Sequence, residues 1–135
     1  MKLAILPLLF VFATAIVKPA NDVQQVTFNQ VFEVEVGQQV LVENTGLRIN
    51  FQSVAEDSRC PVNVKCVWTG NAKVVLRLSK AGKHNATINL NTGLDPKHLS
   101  YQGYDIKLVG VTPQRKEGVT IKSGDYTVTL LVTKE

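Results

Sequence analysis

Residues 64–78 read VKCVWTGNAKVVLRL, and this stretch places an apolar residue or a glycine at every even-numbered position. Most of the odd-numbered residues between them are polar. An alternation with period two is typical of a β-strand with one buried face, so the stretch predicts a strand that directs Trp68 into the core. A straight strand of this length would span about 50 Å, more than the diameter of about 35 Å expected for a compact domain of this size. We therefore expect a bend or bulge at Thr69–Asn71, where Gly70 tolerates the distortion.

The same alternation recurs on both sides of this stretch, in shorter runs separated by turn-forming residues. The apolar positions of these runs are Val26 to Val36, Val40 and Val42, Leu47 to Phe51, Ala86 to Leu90, Tyr104 to Leu108, Val119 and Ile121, and Tyr126 to Val132. Residues 91–103 contain two glycines and a proline and predict a loop. The fold class predicted is all-β: an antiparallel β-sandwich, Ig-like or similar, or a small barrel of seven to eight strands.

The beginning of the chain differs in composition from the rest. An apolar run over residues 3–12 is followed by small residues at Ala13–Ala15. This layout predicts a signal peptide over residues 1–15, cut at its end or as late as Ala20. The apolar stretch is shorter than the roughly 20 residues needed to span a bilayer, so no stable membrane insertion is expected after cleavage. Residues 21–135 are expected to form a single β domain that is secreted or periplasmic.

Composition and charge narrow the possible functions. Apolar residues make up 44% of the chain and charged residues 19%, which excludes collagen-like, mucin-like and intrinsically disordered proteins. The formal net charge is +4, and loss of a leader over residues 1–15 would remove only Lys2 from it. The densest basic cluster, Arg115-Lys116, is followed at once by Glu117. A nucleic-acid partner needs a basic face or stripe, and the sequence predicts no such partner.

Cys60 and Cys66 are the only cysteines of the chain, with Pro61–Lys65 between them. In an exported protein such a pair is interpreted as a disulfide, with two buried free thiols as the alternative. A zinc site would need four ligands at workable spacing, and only His84 and His98 remain to supplement the cysteines. The sequence therefore predicts no metal site and no cofactor.

The densest concentration of chemically active side chains lies in residues 56–70, around the two cysteines. A disulfide would hold this segment rigid, and a rigid loop loses little ordering entropy when it binds a partner. The candidate binding surface consists of Glu56, Asp57, Arg59, Pro61, Asn63 and Lys65. No catalytic residue is predicted among them.

The same segment also permits a structural interpretation. Asp57 could accept backbone N–H groups in a turn, and Arg59 could pair with Asp57 or Glu56. The residues predicted to have structural roles are Trp68, Gly70 and Tyr126. Residues 123–126 resemble a tyrosine corner, in which a phenol ties a loop to a sheet, although a plain turn before a strand fits them equally well.

Two short motifs in this segment resemble those of a known group of proteins. Residues 57–61 read DSRCP, and residues 66–70 read CVWTG. Together they are similar to the DSRCP-x5-CVW-x-G motif of an uncharacterised family of small exported bacterial proteins, many of them lipoproteins. The chain departs from that family at Thr69, where alanine is common, and it has no lipid-accepting cysteine, so a lipid anchor is not implied. The resemblance implies export and an all-β fold, and it implies no activity.

Catalysis is not predicted, and the chain is interpreted as a protein without enzymatic activity. Asp95, His98 and Ser100 are the only candidates for a small hydrolase, because they lie close together in one predicted loop. Three polar residues in a loop are usually solvated, and the sequence has no nucleophile elbow, phosphate loop or dinucleotide fingerprint. Glu56 and Asp57 are adjacent and would face opposite sides of a strand, which argues against a paired-carboxylate site.

Three functions stay open at this point. The leading prediction is an exported, non-enzymatic β domain that binds an unknown protein or envelope component through the disulfide-closed loop. The second is an inhibitor of an exported hydrolase, which would insert Pro61–Lys65 into the cleft of its target, and a small hydrolase comes third. An exposed edge strand could also pair two chains, so the oligomeric state is left open.

Overall fold

The computed structural model describes residues 4, 7, 9–15 and 23–135. The predicted leader is therefore described only in part, and its described residues have no regular secondary structure. The later of the two predicted cuts, after Ala20, and the predicted start of the domain at residue 21 lie outside the described residues. Within the described residues, no helix is both long enough and apolar enough to cross a membrane.

Residues 23–135 fold into two β-sheets. Their nine strands are β1 (Gln24–Val26), β2 (Phe32–Glu35), β3 (Gln39–Val42), β4 (Leu47–Asp57), β5 (Ala72–Lys80), β6 (Ala86–Asn91), β7 (His98–Tyr101), β8 (Tyr104–Thr112) and β9 (Thr127–Lys134). The first sheet has the order β1-β3-β4-β5-β6, and the second has the order β2-β9-β8-β7. Paired strands are antiparallel except for β1 and β3, which are parallel. Each sheet keeps two free edges, so the predicted all-β class is confirmed as a sandwich and not as a closed barrel.

The core lies between the two sheets and is built from the alternating apolar positions. The fully buried residues of β5 are Ala72, Val74, Leu76 and Leu78. Phe51 of β4 and Leu130 of β9 are also fully buried. Burial of a side chain of this size contributes about 1.5–3 kcal/mol, so the alternation that forms the strands also holds the two sheets together.

The sequence suggested that the first apolar run, Val26 to Val36, forms one strand, but in the structure it does not. It divides at Asn29, whose φ of 64° lies in the left-handed region that asparagine tolerates. The chain turns there, so that β1 joins the first sheet and β2 the second. Val119 and Ile121, which predicted a short strand, lie outside any strand.

The strand β7 forms inside residues 91–103, which the sequence predicted as a loop. A two-residue turn, Gln102-Gly103, joins it to β8, and both turn residues have positive φ angles of 49° and 85°. Positive φ at both central residues is the geometry of the tightest hairpins, because it matches the twist of the paired strands. The described residues therefore contain nine strands, more than the seven or eight predicted.

The stretch that predicted the longest strand is only partly a strand. β5 begins at Ala72, and residues 58–71 form a loop that contains the Cys60–Cys66 disulfide. Trp68, predicted to lie in the core, is 63% exposed, and Val67 beside it is 97% exposed. The prediction was wrong because alternation buries one face only where neighbouring strands form a sheet. Among the described residues, no strand pairs with residues 58–71.

The long strand β4 contains two irregularities that determine the geometry of the loop that follows it. Its register with β5 shifts between Phe51 and Ser53, and again between Val54 and Glu56. An extra residue in one strand exchanges the two faces of that strand beyond it. Phe51 and Val54 therefore both pack on the core side, and Asp57 also turns inward, with only 10% of its side chain exposed.

Candidate functional site

Residues 58–71 connect β4 to β5, and we call them the disulfide loop. The predicted disulfide between Cys60 and Cys66 is confirmed, with the two Cα atoms 5.9 Å apart. At the base of the loop, the backbone N–H of Ser58 donates to the carbonyl of Asn71 at 2.7 Å. The Ser58 hydroxyl adds a second bond to the same carbonyl at 3.1 Å. The loop is therefore closed at its base and again near its middle.

Gly70 lies where the two ends of the disulfide loop cross. A Cβ atom at this position would lie within 3.0 Å of backbone atoms of Ser58, Arg59 and Cys60. Backbone atoms cannot move aside as a flexible side chain can, so the crossing requires a residue without a side chain. Gly93 approaches from the other side, where a Cβ would meet the carbonyl of Gly70. These contacts agree with a structural role for Gly70.

An ion pair between Asp57 and Arg59 lies at the start of the disulfide loop. The guanidinium of Arg59 donates from Nε to Oδ1 and from Nη2 to Oδ2 of Asp57, both at 2.8 Å. The side chains of Arg59 and Asp57 are only 15% and 10% exposed. A two-point pair with this little exposure to water is stronger and more directional than an ordinary surface ion pair.

The same guanidinium also reaches the second sheet. Nη1 donates to the carbonyl of Val111 at 2.8 Å, and Nη2 donates to the carbonyl of Pro113 at 2.9 Å. These carbonyls lie at the end of β8, beyond the residues that pair with β7. Because Asp57 ends β4 of the first sheet, Arg59 connects the two sheets at this end of the sandwich.

Tyr126 completes this polar cluster. Its hydroxyl donates to Oδ2 of Asp57 at 2.9 Å, and its ring is buried just before β9. The resemblance to a tyrosine corner is therefore only partial, since the phenol bonds to a carboxylate of the opposite sheet. Asp57 thus accepts two hydrogen bonds from the guanidinium of Arg59 and one from the hydroxyl of Tyr126.

The cluster shifts the pKa values of its two weak acids, the Asp57 carboxyl and the Tyr126 phenol. Burial alone would raise the pKa of Asp57, but the hydrogen bonds from Arg59 and Tyr126 and the charge of Arg59 outweigh it, so the pKa lies below its ordinary value. Burial and the hydrogen bond to Asp57 raise the pKa of the Tyr126 phenol. At neutral pH the carboxylate is therefore charged and the phenol keeps its proton.

The lowered pKa of Asp57 predicts that acid weakens the fold through this cluster. The unfolded chain takes up the proton first, so the contribution of Asp57 to stability is complete above its unfolded pKa of about 4 and is lost as the pH falls through the lower folded value. We expect the free energy of unfolding to fall over this range, and to fall less in an Asp57→Asn variant. Urea titrations at a series of acidic pH values measure both slopes. Equal slopes in the two proteins would contradict this role.

A second loop, residues 113–118, supports the disulfide loop from below. The backbone N–H of Val62 donates to the carbonyl of Arg115 at 2.9 Å, and the guanidinium of Arg115 donates to the carbonyl of Arg59 at 2.7 Å. The side chain of Asn63 accepts the N–H of Glu117 at 2.9 Å. Hydrogen bonds from both backbone and side chains therefore fix the first half of the disulfide loop, residues 58–64.

The six residues of the predicted binding surface divide into two groups. Asp57, Arg59 and Asn63 are hydrogen-bonded within the protein. Pro61 is half-buried, while Glu56 and Lys65 are exposed. Half of the predicted surface is therefore taken up by contacts within the protein.

Half of the exposed residues of the disulfide loop are apolar, an arrangement that the alternation did not predict. The exposed apolar residues of the loop are Val62 at 54%, Val64 at 37%, Val67 at 97% and Trp68 at 63%. The sequence held one signal of this arrangement. Val67 is apolar at an odd-numbered position, where the alternation requires a polar residue. We call these four residues the apolar tip.

A shallow cavity of about 320 Å³ adjoins the disulfide loop. Arg59, Cys60 and Val62 form one side of it, and residues 108–111 of β8 form the other. A further groove of about 600 Å³ lies between the edge strands β1 and β2 and includes none of the loop residues. Residues 56–70, the segment with the most chemically active side chains in the sequence, therefore adjoin the smaller of these two cavities.

The residues considered for a hydrolase do not form a catalytic arrangement. Nδ1 of His98 lies 2.7 Å from the carboxylate of Asp105, not from Asp95. Ser100 lies two residues along β7 from His98, and no hydrogen bond joins their side chains, both of which the structure describes. A serine nucleophile needs a base within hydrogen-bonding reach. Across residues 23–135 and the described part of the leader, no group of three or more His, Cys, Asp or Glu side chains is placed to hold a metal ion.

Comparison with known proteins adds no further assignment. No protein-family model, no curated protein and no solved structure matches the chain.

Proposed function

We propose that this protein is an exported, non-enzymatic domain that binds a protein partner through the apolar tip of the disulfide loop. The observation that carries the proposal is the exposure of Trp68, 63% of which faces solvent on a loop that is held in place from several sides. Tryptophan is one of the residues that contribute most to binding energy in protein interfaces. An apolar surface patch bordered by polar residues is typical of a site that binds a protein or a membrane.

The rigidity of the disulfide loop favours binding. The disulfide and the hydrogen bonds of Arg59 and Asn63 already fix residues 59–66, which carry Val62 and Val64 and lead directly into Val67 and Trp68. Binding of a partner would therefore restrict few further rotatable bonds of the loop. Because little conformational entropy is lost, more of the contact energy would appear as affinity.

The surroundings of the tip favour a protein surface over a membrane. Lys65 is exposed in the disulfide loop, and Lys116 and Glu117 are exposed in the loop that bonds to it, so both signs of charge lie beside the apolar residues. A membrane-binding surface of anionic lipid would call for basic residues alone. An apolar centre within a polar rim of mixed charge is the usual composition of a protein–protein interface.

The geometry gives less support to the inhibitor alternative. An inhibitor that fills a protease cleft presents an extended segment whose backbone groups are free to bond with the enzyme. Residues 61–64 instead form a turn, in which the N–H of Val64 donates to the carbonyl of Pro61 at 3.2 Å. The N–H of Val62 is occupied by Arg115. The loop is therefore suited to contact a partner through its exposed side chains, and not by inserting an extended segment into a cleft.

Export is part of the same proposal. A disulfide between Cys60 and Cys66 is compatible with an oxidising compartment outside the cytoplasm. The signal peptide predicted over residues 1–15 would bring the chain there, to the periplasm or the medium.

The test is a crosslinking capture from the native exported fraction with wild type and a Trp68→Ser variant. We expect the variant to retain at most about one tenth of the partner, since loss of a central tryptophan costs at least about 1.4 kcal/mol of binding free energy. Its stability should stay within about 0.5 kcal/mol of wild type, because the side chain is exposed.

The matched control is Val31→Ser, which removes an apolar side chain that is 59% exposed outside the disulfide loop. It should capture the partner as wild type does. A partner held equally by the Trp68→Ser variant, or lost equally in the Val31→Ser variant, would move the binding surface away from the apolar tip. Capture of no partner by wild type would contradict the proposal.

A further inference from the structure

The free edge of the first sheet at β6 has a composition that edge strands usually avoid. Residues 84–94 contain no Asp, Glu, Lys or Arg. The strand contains no proline, and its six residues pair with β5 without a register shift. Edge strands of monomeric proteins are normally interrupted by charge, proline or a bulge, because a regular uncharged edge pairs readily with another strand. β6 has none of these interruptions.

The other three edges of the sandwich are protected. The edge strand β1 has only three residues, and β7 has only four. The edge strand β2 carries Glu33 and Glu35 on its exposed face. Pairing of β2 with its own copy would bring like charges together, which is unfavourable. Among the described edges, β6 alone combines length, regularity and neutrality.

The direction of the backbone groups shows which of them are free on this edge. The N–H of Asn91 donates to the carbonyl of Pro96, on the side away from β5. In an antiparallel strand the backbone groups of alternate residues point to the same side. The N–H and C=O groups of Thr87 and Asn89 therefore also point away from β5, toward the open edge.

We propose that β6 pairs with β6 of a second copy of this chain, antiparallel and about a two-fold axis at Ile88. In this register Thr87 lies opposite Asn89 of the partner subunit, and each such pair exchanges two backbone hydrogen bonds. Ile88, which is half-buried and packs against the core, meets its own copy on the inner face. The pairing joins the first sheets of two molecules into one continuous sheet.

The charges at the ends of the strand fit this arrangement. The nearest charged residues are Lys83 before β6 and Asp95 after it. An antiparallel pair brings the start of one strand to the end of the other. Each Lys83 therefore comes toward Asp95 of the partner subunit, and no like charges oppose one another along the seam.

Sedimentation equilibrium of the purified exported chain over a concentration series tests the pairing. Wild type should show a reversible monomer–dimer equilibrium. A Thr87→Lys/Asn89→Lys variant places like charges opposite each other twice, and we expect its dimer dissociation constant to rise at least about tenfold. The matched control, Gln52→Lys/Ser53→Lys, adds the same charge at exposed positions of the central strand β4 and should dimerise as wild type does.

A second variant tests the register itself. Thr87→Lys/Asn89→Glu places opposite charges across each proposed pair, so its dimer should be at least as tight as that of wild type. A wild type that stays monomeric throughout would overturn the proposal, and so would a dimer that the double-lysine variant leaves intact. The Trp68→Ser variant should still dimerise, because the apolar tip takes no part in this contact. Loss of its dimer would place the contact at the disulfide loop instead.

Discussion

An Arg59→Ala variant is expected to unfold with a free energy about 3 kcal/mol lower than that of wild type, because removing one partner of a shielded ion pair leaves the other charge without compensation. The carboxylate of Asp57, of whose side chain only 10% is exposed in the wild type, would lose both bonds from the guanidinium. The carbonyls of Val111 and Pro113 would lose their donors at the same time. Urea-induced unfolding, followed by circular dichroism, measures the change.

The neighbouring carboxylate supplies a matched control. Glu56 precedes Asp57 on the same strand, but it is 68% exposed, and its ion pair with Lys73 is longer, at 3.5 Å. A Glu56→Ala variant should therefore stay within about 0.5 kcal/mol of wild type. Equal losses in the two variants would mean that the guanidinium has no special place in the fold. An Arg59→Lys variant should recover only part of the loss, since an ammonium cannot form the two-point pair.

A Cys60→Ser/Cys66→Ser variant is expected to lose about 2.4 kcal/mol of unfolding free energy. A bridge that closes so short a loop removes about this much chain entropy from the unfolded state. The expected loss is smaller than that of Arg59→Ala, because the hydrogen bonds of Arg59 and Ser58 still close the base of the loop. The serine variant should therefore fold, and it should bind the partner more weakly than wild type does.

Reduction of the wild type provides the control for this variant. Urea titrations in the presence of a strong reductant should lower the stability of wild type by the same amount and leave the serine variant unchanged. If neither reduction nor substitution altered stability, the bridge would contribute nothing that the surrounding packing does not already provide. A partner bound equally well by the serine variant would separate binding from the rigidity of the loop.

The fold class could be predicted from the sequence because period two is a direct consequence of strand geometry. The run from Ala72 to Leu78 is buried at each expected position. The same pattern failed at Trp68, since alternation carries no information about where the neighbouring strands end. It also failed along β4, where one extra residue brings Val54 to the core side and a second returns Asp57 to the same side as Phe51. No repeating pattern in the sequence marks the extra residue of a bulge.

Composition singled out residues 56–70 as the segment with the most chemically active side chains, but it did not predict the contacts that these residues make. Arg59 bonds to backbone carbonyls 52 and 54 positions away, and Tyr126 reaches Asp57 across 69 positions. No local motif reports contacts of that range. Asp57 and Arg59, predicted for recognition, therefore hold the two sheets together, and Trp68, predicted for the core, lies at the surface.

The position of Arg59 also governs how many molecules can join together. Beyond its pairing with β7, the strand β8 continues to Thr112 with no strand on that side. If the carbonyls of Val111 and Pro113 had no donors, each molecule would have a second free edge able to pair with another chain. Two such edges would allow growth into open-ended polymers. The guanidinium occupies both carbonyls. Because that edge is already hydrogen-bonded, each molecule can pair with another only through β6. Assembly therefore ends at the dimer.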